Sequence, residues 1–294
     1  MLTGIFLALA LTAALGCGGA EPRAAAGGAP AEQETATSFD AASAGTITGN
    51  VTWKGAVPSV VPFEIQASPF AGKALQLRHA RPNPNAPLID PLTKGVGNAV
   101  VFLRGVDPMV AKPWDHSAAV VEQKACQFSI NQDNTLSHFG FVRRGGQVTM
   151  VSRDDTFYSL HADGAAFFTL TFPDPEQPLQ RHLAKNGLVE LTSAAGYYWM
   201  RGYLFVDDHP YYAHTEADGR FTLSGVPAGK YDVVCWMPNW TKARHERDPE
   251  LGLITRWYFD PPLERKEAVS LRRGETCELR FELSAPPSPR EARD

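Results

Sequence analysis

The chain has 294 residues, enough for about two domains once any processed segment is set aside. Apolar residues at 44% and aromatic ones at 10% exclude a wholly disordered chain, and a net charge of −4 without any Lys- or Arg-rich run excludes the basic footprint that nucleic acid requires. Much of the 23 prolines and 25 glycines falls between short β-branched and aromatic runs, the pattern of many turns joining strands.

In chain order, the first element is an apolar run from Ile5 to Leu15, too short to span a bilayer and suited to the core of a signal peptide. The small residues Ala13, Ala14 and Gly16 ahead of Cys17 resemble the lipobox of bacterial lipoproteins. The resemblance implies cleavage before Cys17, lipidation of that cysteine, and a mature chain anchored through lipid at the periplasmic face of the envelope, on the outer membrane. Cleavage after Ala20 stays open as the alternative, and it too exports the chain. From Gly18 to Gly45 hardly any large apolar residue is present, so burial cannot offset the entropy of ordering and the segment reads as a disordered tether.

The stretch 46–53 (TITGNVTW) places Ile47, Gly49, Val51 and Trp53 on one face, a half-buried strand. Short runs bounded by turn residues follow at 60–65, 99–103, 118–122, 147–151, 167–172, 188–191 and 201–206, then at 220–223, 231–237, 256–259, 267–271 and 277–283. This density predicts an all-β fold of β-sandwiches. Within 201–206, Arg201, Tyr203 and Phe205 alternate with Gly202, Leu204 and Val206, so both faces of that strand carry apolar side chains that need cover. The segments 177–185 and 241–251 lack apolar residues at helical spacing and read as surface turns; 80–98, with four prolines, reads as a long loop.

The stretches VGNAVVFLRG, QKACQFSIN, GGQVTMVSRDDTFYSLH and WMRGYLFVDDHPYYAHT resemble the cupredoxin-like proteins of the methylamine-utilisation and plastocyanin-like group. DGRFTLSGVPAGKYDV resembles the carboxypeptidase regulatory-like and rhamnogalacturonan-lyase accessory β-sandwich modules, which are non-catalytic. The resemblance implies a cupredoxin-like Greek-key sandwich over 113–208 and a transthyretin-like regulatory sandwich over 209–285. Around them stand the signal peptide (1–17), the tether (18–45), N-terminal strands and a long loop (46–112), and a tail (286–294). In such cupredoxins two histidines, a cysteine and a weak axial methionine hold copper for electron transfer. Carried over, those positions fall on Tyr158, Ala194, Tyr197 and Met200, so three of the four donors are absent and no metal or other cofactor is expected.

His116, His138, His161, His209 and His214, with Asp207 and Asp208, match no metal-ligand spacing and read as hydrogen-bonded loop histidines. Tyr203, Tyr211, Tyr212 and Trp199 are expected to pack in cores, whereas Tyr197 and Tyr198, placed in a loop, are candidate ligand-binding residues together with His161 and Trp240. Cys235 and Cys277 are the candidate disulfide pair, with burial as free thiols the alternative. No nucleophile elbow, phosphate-cradling glycine loop or H-E-x-x-H motif is present, and the chain reads as non-enzymatic. The resulting expectation is an envelope lipoprotein acting as a binding or scaffold module toward another envelope protein or a glycan. Two other readings stay open: copper-binding electron transfer through an unrecognised histidine set, and a carbohydrate-binding accessory module.

Overall fold

The computed structural model describes residues 38–65 and 80–285. The predicted signal peptide, Cys17, positions 18–37 of the tether and the tail lie outside the described residues.

Among the described residues every regular element is a β-strand, as the turn-rich sequence predicts. A first pass of the chain makes β1 (Gly45–Lys54), the two-residue strands β2 (Phe63–Glu64), β3 (Ala80–Arg81), β4 (Leu88–Ile89) and β5 (Val96–Gly97), and β6 (Val100–Arg104). A second makes β7 (Val120–Lys124), β8 (Gln127–Gln132), β9 (Thr135–Ser137), β10 (Phe139–Arg143), β11 (Gln147–Ser152), β12 (Tyr158–Gly164), β13 (Phe168–Phe172), β14 (Leu179–His182), β15 (Gly187–Ser193) and β16 (Arg201–Asp207). The last makes β17 (Tyr212–His214), β18 (Arg220–Val226), β19 (Gly229–Met237), β20 (Lys242–Arg247), β21 (Ile254–Phe259), β22 (Leu263–Leu271) and β23 (Thr276–Ser284).

Four large sheets result, ordered β18-β1-β23, β17-β6-β19-β22, β10-β16-β15-β12-β13 and β14-β11-β7-β8-β9. The second pass supplies both five-stranded sheets. The first and last passes share the other two, so β1 and β6, from the segment 46–112, lie among strands from 209–285. Most pairs are antiparallel, but β1–β23, β10–β16 and β7–β11 are parallel, the mark of strands returning from distant parts of the chain.

Three buried clusters separate the sheets. Ile47, Val51, Phe221 and Phe281 of the three-stranded sheet meet Val101, Leu103, Val233 and Cys235 of the four-stranded one. Leu160, Val189, Leu191 and Leu204 of the first five-stranded sheet meet Val121, Phe128, Ile130 and Met150 of the second. Between these two sandwiches lies a third cluster, in which Phe102, Tyr212, Val234 and Trp236 face Phe139, Phe141, Tyr203 and Phe205. Strand alternation therefore serves two cores at once: on β19, Val233 and Cys235 point one way and Val234 and Trp236 the other, and on β16, Tyr203 and Phe205 oppose Leu204 and Val206. Such strands read as continuous apolar runs because both faces are buried.

Three segments differ from expectation. Positions 38–44 of the tether are held against the fold: Ser38 N–H and Oγ–H donate to the Met109 carbonyl (2.8 and 3.1 Å), and the Phe39 ring lies against Gly225. Phe39 is the large apolar side chain that the rest of the tether lacks. The segments 177–185 and 241–251, read as surface turns, contain β14 and β20, which pair with β11 and β21. Their side chains are mostly exposed, so no apolar alternation marks them.

Trp236→Ala, which empties a place in the middle layer, is expected to cost about 3–5 kcal/mol, read as a lowered urea midpoint. Leu92→Ala, at a side chain 91% exposed, is expected to stay within about 0.5 kcal/mol.

Candidate functional site

One end of the five-stranded sandwich gathers the four positions carried over from the copper-protein pattern. Ala125 and Cys126 turn the β7–β8 hairpin, both at positive φ (50° and 57°), the requirement of a tight two-residue turn. Asp154 holds this turn by accepting from the Ala125 N–H (2.7 Å), and the Cys126 N–H donates to the Tyr158 hydroxyl (2.9 Å). That hydroxyl in turn donates to Asp154 Oδ2 (3.2 Å). The Ala194 N–H donates to the Ser159 carbonyl (2.6 Å), next to Tyr158, and the Met200 N–H donates to the Tyr197 carbonyl (2.8 Å). The rings of Tyr158 and Tyr197 stand 5.8 Å apart, and Trp199 closes the cluster with its Nε1–H on the Cys126 carbonyl (2.8 Å).

Burial keeps the phenols and the thiol of this end neutral, beside the hydrogen-bonded Asp154 carboxylate. Burial pushes the Tyr158 and Tyr197 phenols up, and it raises the Cys126 thiol as well. Tyr158 is fully buried with its hydroxyl already committed to two partners, and Ala194 has no donor atom. Of the four positions the Met200 sulfur and the protonated Tyr197 phenol remain, both weak ligands. The residues present do not fit copper.

The other predicted site residues are dispersed. His161, on β12, bonds Thr169 Oγ1 through Nδ1 (3.0 Å) and meets the exposed Phe167 ring edge-on at 5.2 Å. Tyr198 was expected to stand out of its loop, but it is 6% exposed, donates to the Glu64 carbonyl and packs on Phe63 and Trp199. Trp240 lies against Trp53 in the other sandwich, at 5.7 Å. Arg244 stacks over Tyr258 (3.5 Å), His245 on Trp257 (4.7 Å), and Arg247 donates to His245 and the Gly252 carbonyl, so the β20–β21 hairpin engages its own side chains.

The Cys235–Cys277 bridge does not form; Cys126, Cys235 and Cys277 are free thiols. A Cβ on Gly45 would touch Leu271, so the start of β23 lies level with Leu271 and its partner Gly229. Cys235 is six residues further along β19, about 20 Å away at roughly 3.3 Å per residue, beyond the reach of a disulfide.

Near the middle layer His116 and His209 are paired with protein groups, whereas His214, on β17 and not in a loop, keeps a buried Nδ1 without a hydrogen-bond partner. His116 bonds Asp133 through Nδ1 and the Pro210 carbonyl through Nε2, both at 2.8 Å. His209 lies 3.4 Å from Asp207, which accepts from the Tyr212 hydroxyl (2.6 Å). His214 stacks near Phe141 at 4.7 Å. Among the described residues no group of three or more His, Cys, Asp or Glu side chains stands where it would hold a metal ion.

Sequence reasoning did not single out the cleft of about 320 Å³ at the edge of the middle layer. One wall is the proline-rich run 82–88; the opposite wall includes Phe128, Phe139, Trp199 and Met200. Amides lock the run in place: Asn83 Nδ2 donates to the Trp240 carbonyl (3.1 Å), Asn85 Nδ2 to the Asn239 carbonyl (2.9 Å), and Asn85 Oδ1 accepts from the Tyr203 hydroxyl (3.0 Å). His138 and Arg201 complete the lining. Arg201 is 2% exposed; it pairs with Glu190, donates to the Trp257 carbonyl and lies over Phe259, and burial lowers its pKa to about 10. The spaced asparagines and prolines of 82–87 were legible as an ordered or flexible loop, but their anchors are more than a hundred residues away.

No family model and no curated protein matches this chain. Among solved structures it is similar to amicyanin: a reduced-state mutant at 21% identity, covering 31% of this chain and 82% of that one with a TM-score of 0.25, and the Cu(I) form of another mutant at 18% identity, covering 36% and 97%, also at 0.25.

Burial, with His116 adding repulsion, lowers the His214 pKa from 6.5 to about 4. The unfolded chain therefore takes up this proton at a higher pH than the folded one, so the stability is full above pH 6.5 and falls as the pH drops toward 4, at about 1.4 kcal/mol per unit. The neighbouring His138 and His209 are lowered in the same direction by burial. Urea midpoints at pH 7 and pH 4.5 are expected to differ less in His214→Phe than in the unsubstituted chain, with part of the slope remaining from the other two.

Proposed function

We propose that the chain is a non-enzymatic binding protein of the bacterial envelope, exported, lipid-anchored at Cys17, and built on a cupredoxin-like sandwich that has given up copper chemistry. The observation that carries this reading is the fate of Tyr158. Its position would supply a copper ligand, yet its hydroxyl is spent on Cys126 and Asp154 inside a closed aromatic cluster. A hydroxyl so placed fixes the β7–β8 turn, and a buried phenol kept protonated is a poor metal ligand. The second sandwich, whose sequence resembles non-catalytic accessory modules, then serves as scaffold. Its β20–β21 hairpin reaches across to the first sandwich through Arg256–Asp163 (3.4 Å) and the Arg201–Trp257 hydrogen bond, a bracing contact consistent with a passive binding surface.

The test is made on the chain expressed with its own leader. Membrane association is expected for the native chain and its loss for Cys17→Ala. After loading with Cu(I) or Cu(II) and desalting, no retained metal and no intense visible band are expected. Stoichiometric copper with a strong thiolate-to-copper band would overturn the proposal.

A further inference from the structure

A sheet edge presents unpaired N–H and C=O groups to any extended segment, so folded chains protect their edges with charge, with short strands or with a cover. The four large sheets have eight outer strands, β18, β23, β17, β22, β10, β13, β14 and β9, and seven of them are protected. β22 carries Glu264, Arg265, Lys266 and Glu267 in a row, β23 carries Glu278, Arg280 and Glu282, and β14 carries Arg181 and His182. β9 and β17 are only three residues long. β10 is capped by a side-chain amide that copies a peptide: Gln132 Oε1 accepts from the Phe141 N–H (2.8 Å) and Nε2–H donates to the Phe141 carbonyl (2.7 Å). On β18 the Gly225 carbonyl accepts from the Tyr211 hydroxyl (2.8 Å), and the Phe39 ring lies against the same glycine.

β13, FTLTF, has none of these devices. It pairs with β12 on one side and, among the described residues, with nothing on the other. From Gly164 to Phe172 no residue is charged, and its threonines and phenylalanines favour an extended strand. Thr169 and Thr171 are exposed on the outer face, while Leu170 and Phe172 are buried toward the core. Two exposed rings flank the edge: Phe167, just before β13, at 79%, and Phe157, just before β12, at 59%.

The chemistry of this edge fits itself. Antiparallel pairing about a two-fold axis through Leu170 sets Phe168 against Phe172 of the second copy and Thr169 against its Thr171. Apolar side chains then meet apolar ones on the core side and hydroxyls meet hydroxyls outside, with no like charges opposed. Each pair joins residues of the same parity along the strand, so the N–H and C=O groups that point away from β12 face each other. The same register puts Phe167 opposite Pro173 of the second copy. Because Tyr158 pairs with Phe172, Phe157 lies level with Pro173, and Phe167 of each copy comes beside Phe157 of the other.

We propose that β13 is an interface between two copies of this chain, which pair antiparallel through it and join two five-stranded sheets into one continuous sheet. The inference does not depend on the copper or membrane readings.

Sedimentation equilibrium of the full chain, in detergent matched to the buffer density so that a micelle does not register, is the test. At about 100 μM, the range that a small interface requires, the native chain is expected at twice the mass of one chain. Thr169→Lys with Thr171→Lys opposes lysine to lysine across the axis and is expected to weaken the dimer at least about tenfold. Thr169→Lys with Thr171→Glu puts as many charges on the edge but opposes unlike ones, and is expected to restore the dimer. Phe167→Ser removes an exposed ring and is expected to weaken the dimer about tenfold without disturbing the fold. Near-ultraviolet circular dichroism checks that each variant is folded. A monomeric native chain would overturn the proposal, whether another strand covers the edge or none does. So would a folded double-lysine chain that stays dimeric, a Lys–Glu chain that stays monomeric, or a Phe167→Ser chain that pairs as well as the native one.

Discussion

Packing of aromatic side chains between the two inner sheets is the interaction on which the rest of this structure depends. Phe102 stacks on Tyr212 at 5.1 Å, Phe205 meets Trp236 edge-on at 5.2 Å, and Tyr203 lies between Phe139 and Trp236 at 5.7 and 5.4 Å. Pairs of this geometry add about 0.5–1.5 kcal/mol each beyond their buried area. A sandwich ordinarily turns one face of each sheet to water; here the two inner sheets turn that face to each other, so neither inner sheet has a wet side where they overlap. The polar groups admitted to the layer, His116, His209 and His214, sit at its margin, and their neutrality, or their pairing with Asp133 and Asp207, is a condition of its closure.

The cleft follows from the same layer. β16 is longer than the part of it that the four-stranded sheet covers. Phe205 and Tyr203 lie in the middle layer, and Arg201, next on the same face, is covered instead by the β20–β21 hairpin and the proline-rich run. The Tyr203 hydroxyl, by holding Asn85, joins layer and run directly. A strand face that leaves one cover for another leaves space at the join, where Arg201 Nε and His138 Nδ1 are among the buried polar atoms without a hydrogen-bond partner.

The layer was partly legible in the sequence. The runs VVFLR, YLFV and VVCWM announced strands, and the alternation of 201–206 marks that one as needing cover on each side. What covered them was not legible, because the paired residues of β6 and β19 are 128 to 136 positions apart and their pairing is a property of topology. The strands β14 and β20 escaped notice because exposed side chains on both faces leave no period to detect. At the candidate site, the cupredoxin-like resemblance singled out Tyr158, Ala194, Tyr197 and Met200, and the structure brings them to one end of a sandwich. That the Tyr158 hydroxyl is consumed by the Cys126 turn needed the fold, since no sequence pattern marks a turn of Ala and Cys at positive φ. The pairing of Cys235 with Cys277 failed for the complementary reason: in-phase burial says which face a cysteine shares, not how far along the sandwich it lies.

The central claim is that the aromatic layer makes two sandwiches into one cooperative body. Differential scanning calorimetry of the mature chain tests it most directly. A single transition, with calorimetric enthalpy equal to the van't Hoff enthalpy, is the predicted result. Two separable transitions, one for each sandwich, would contradict it.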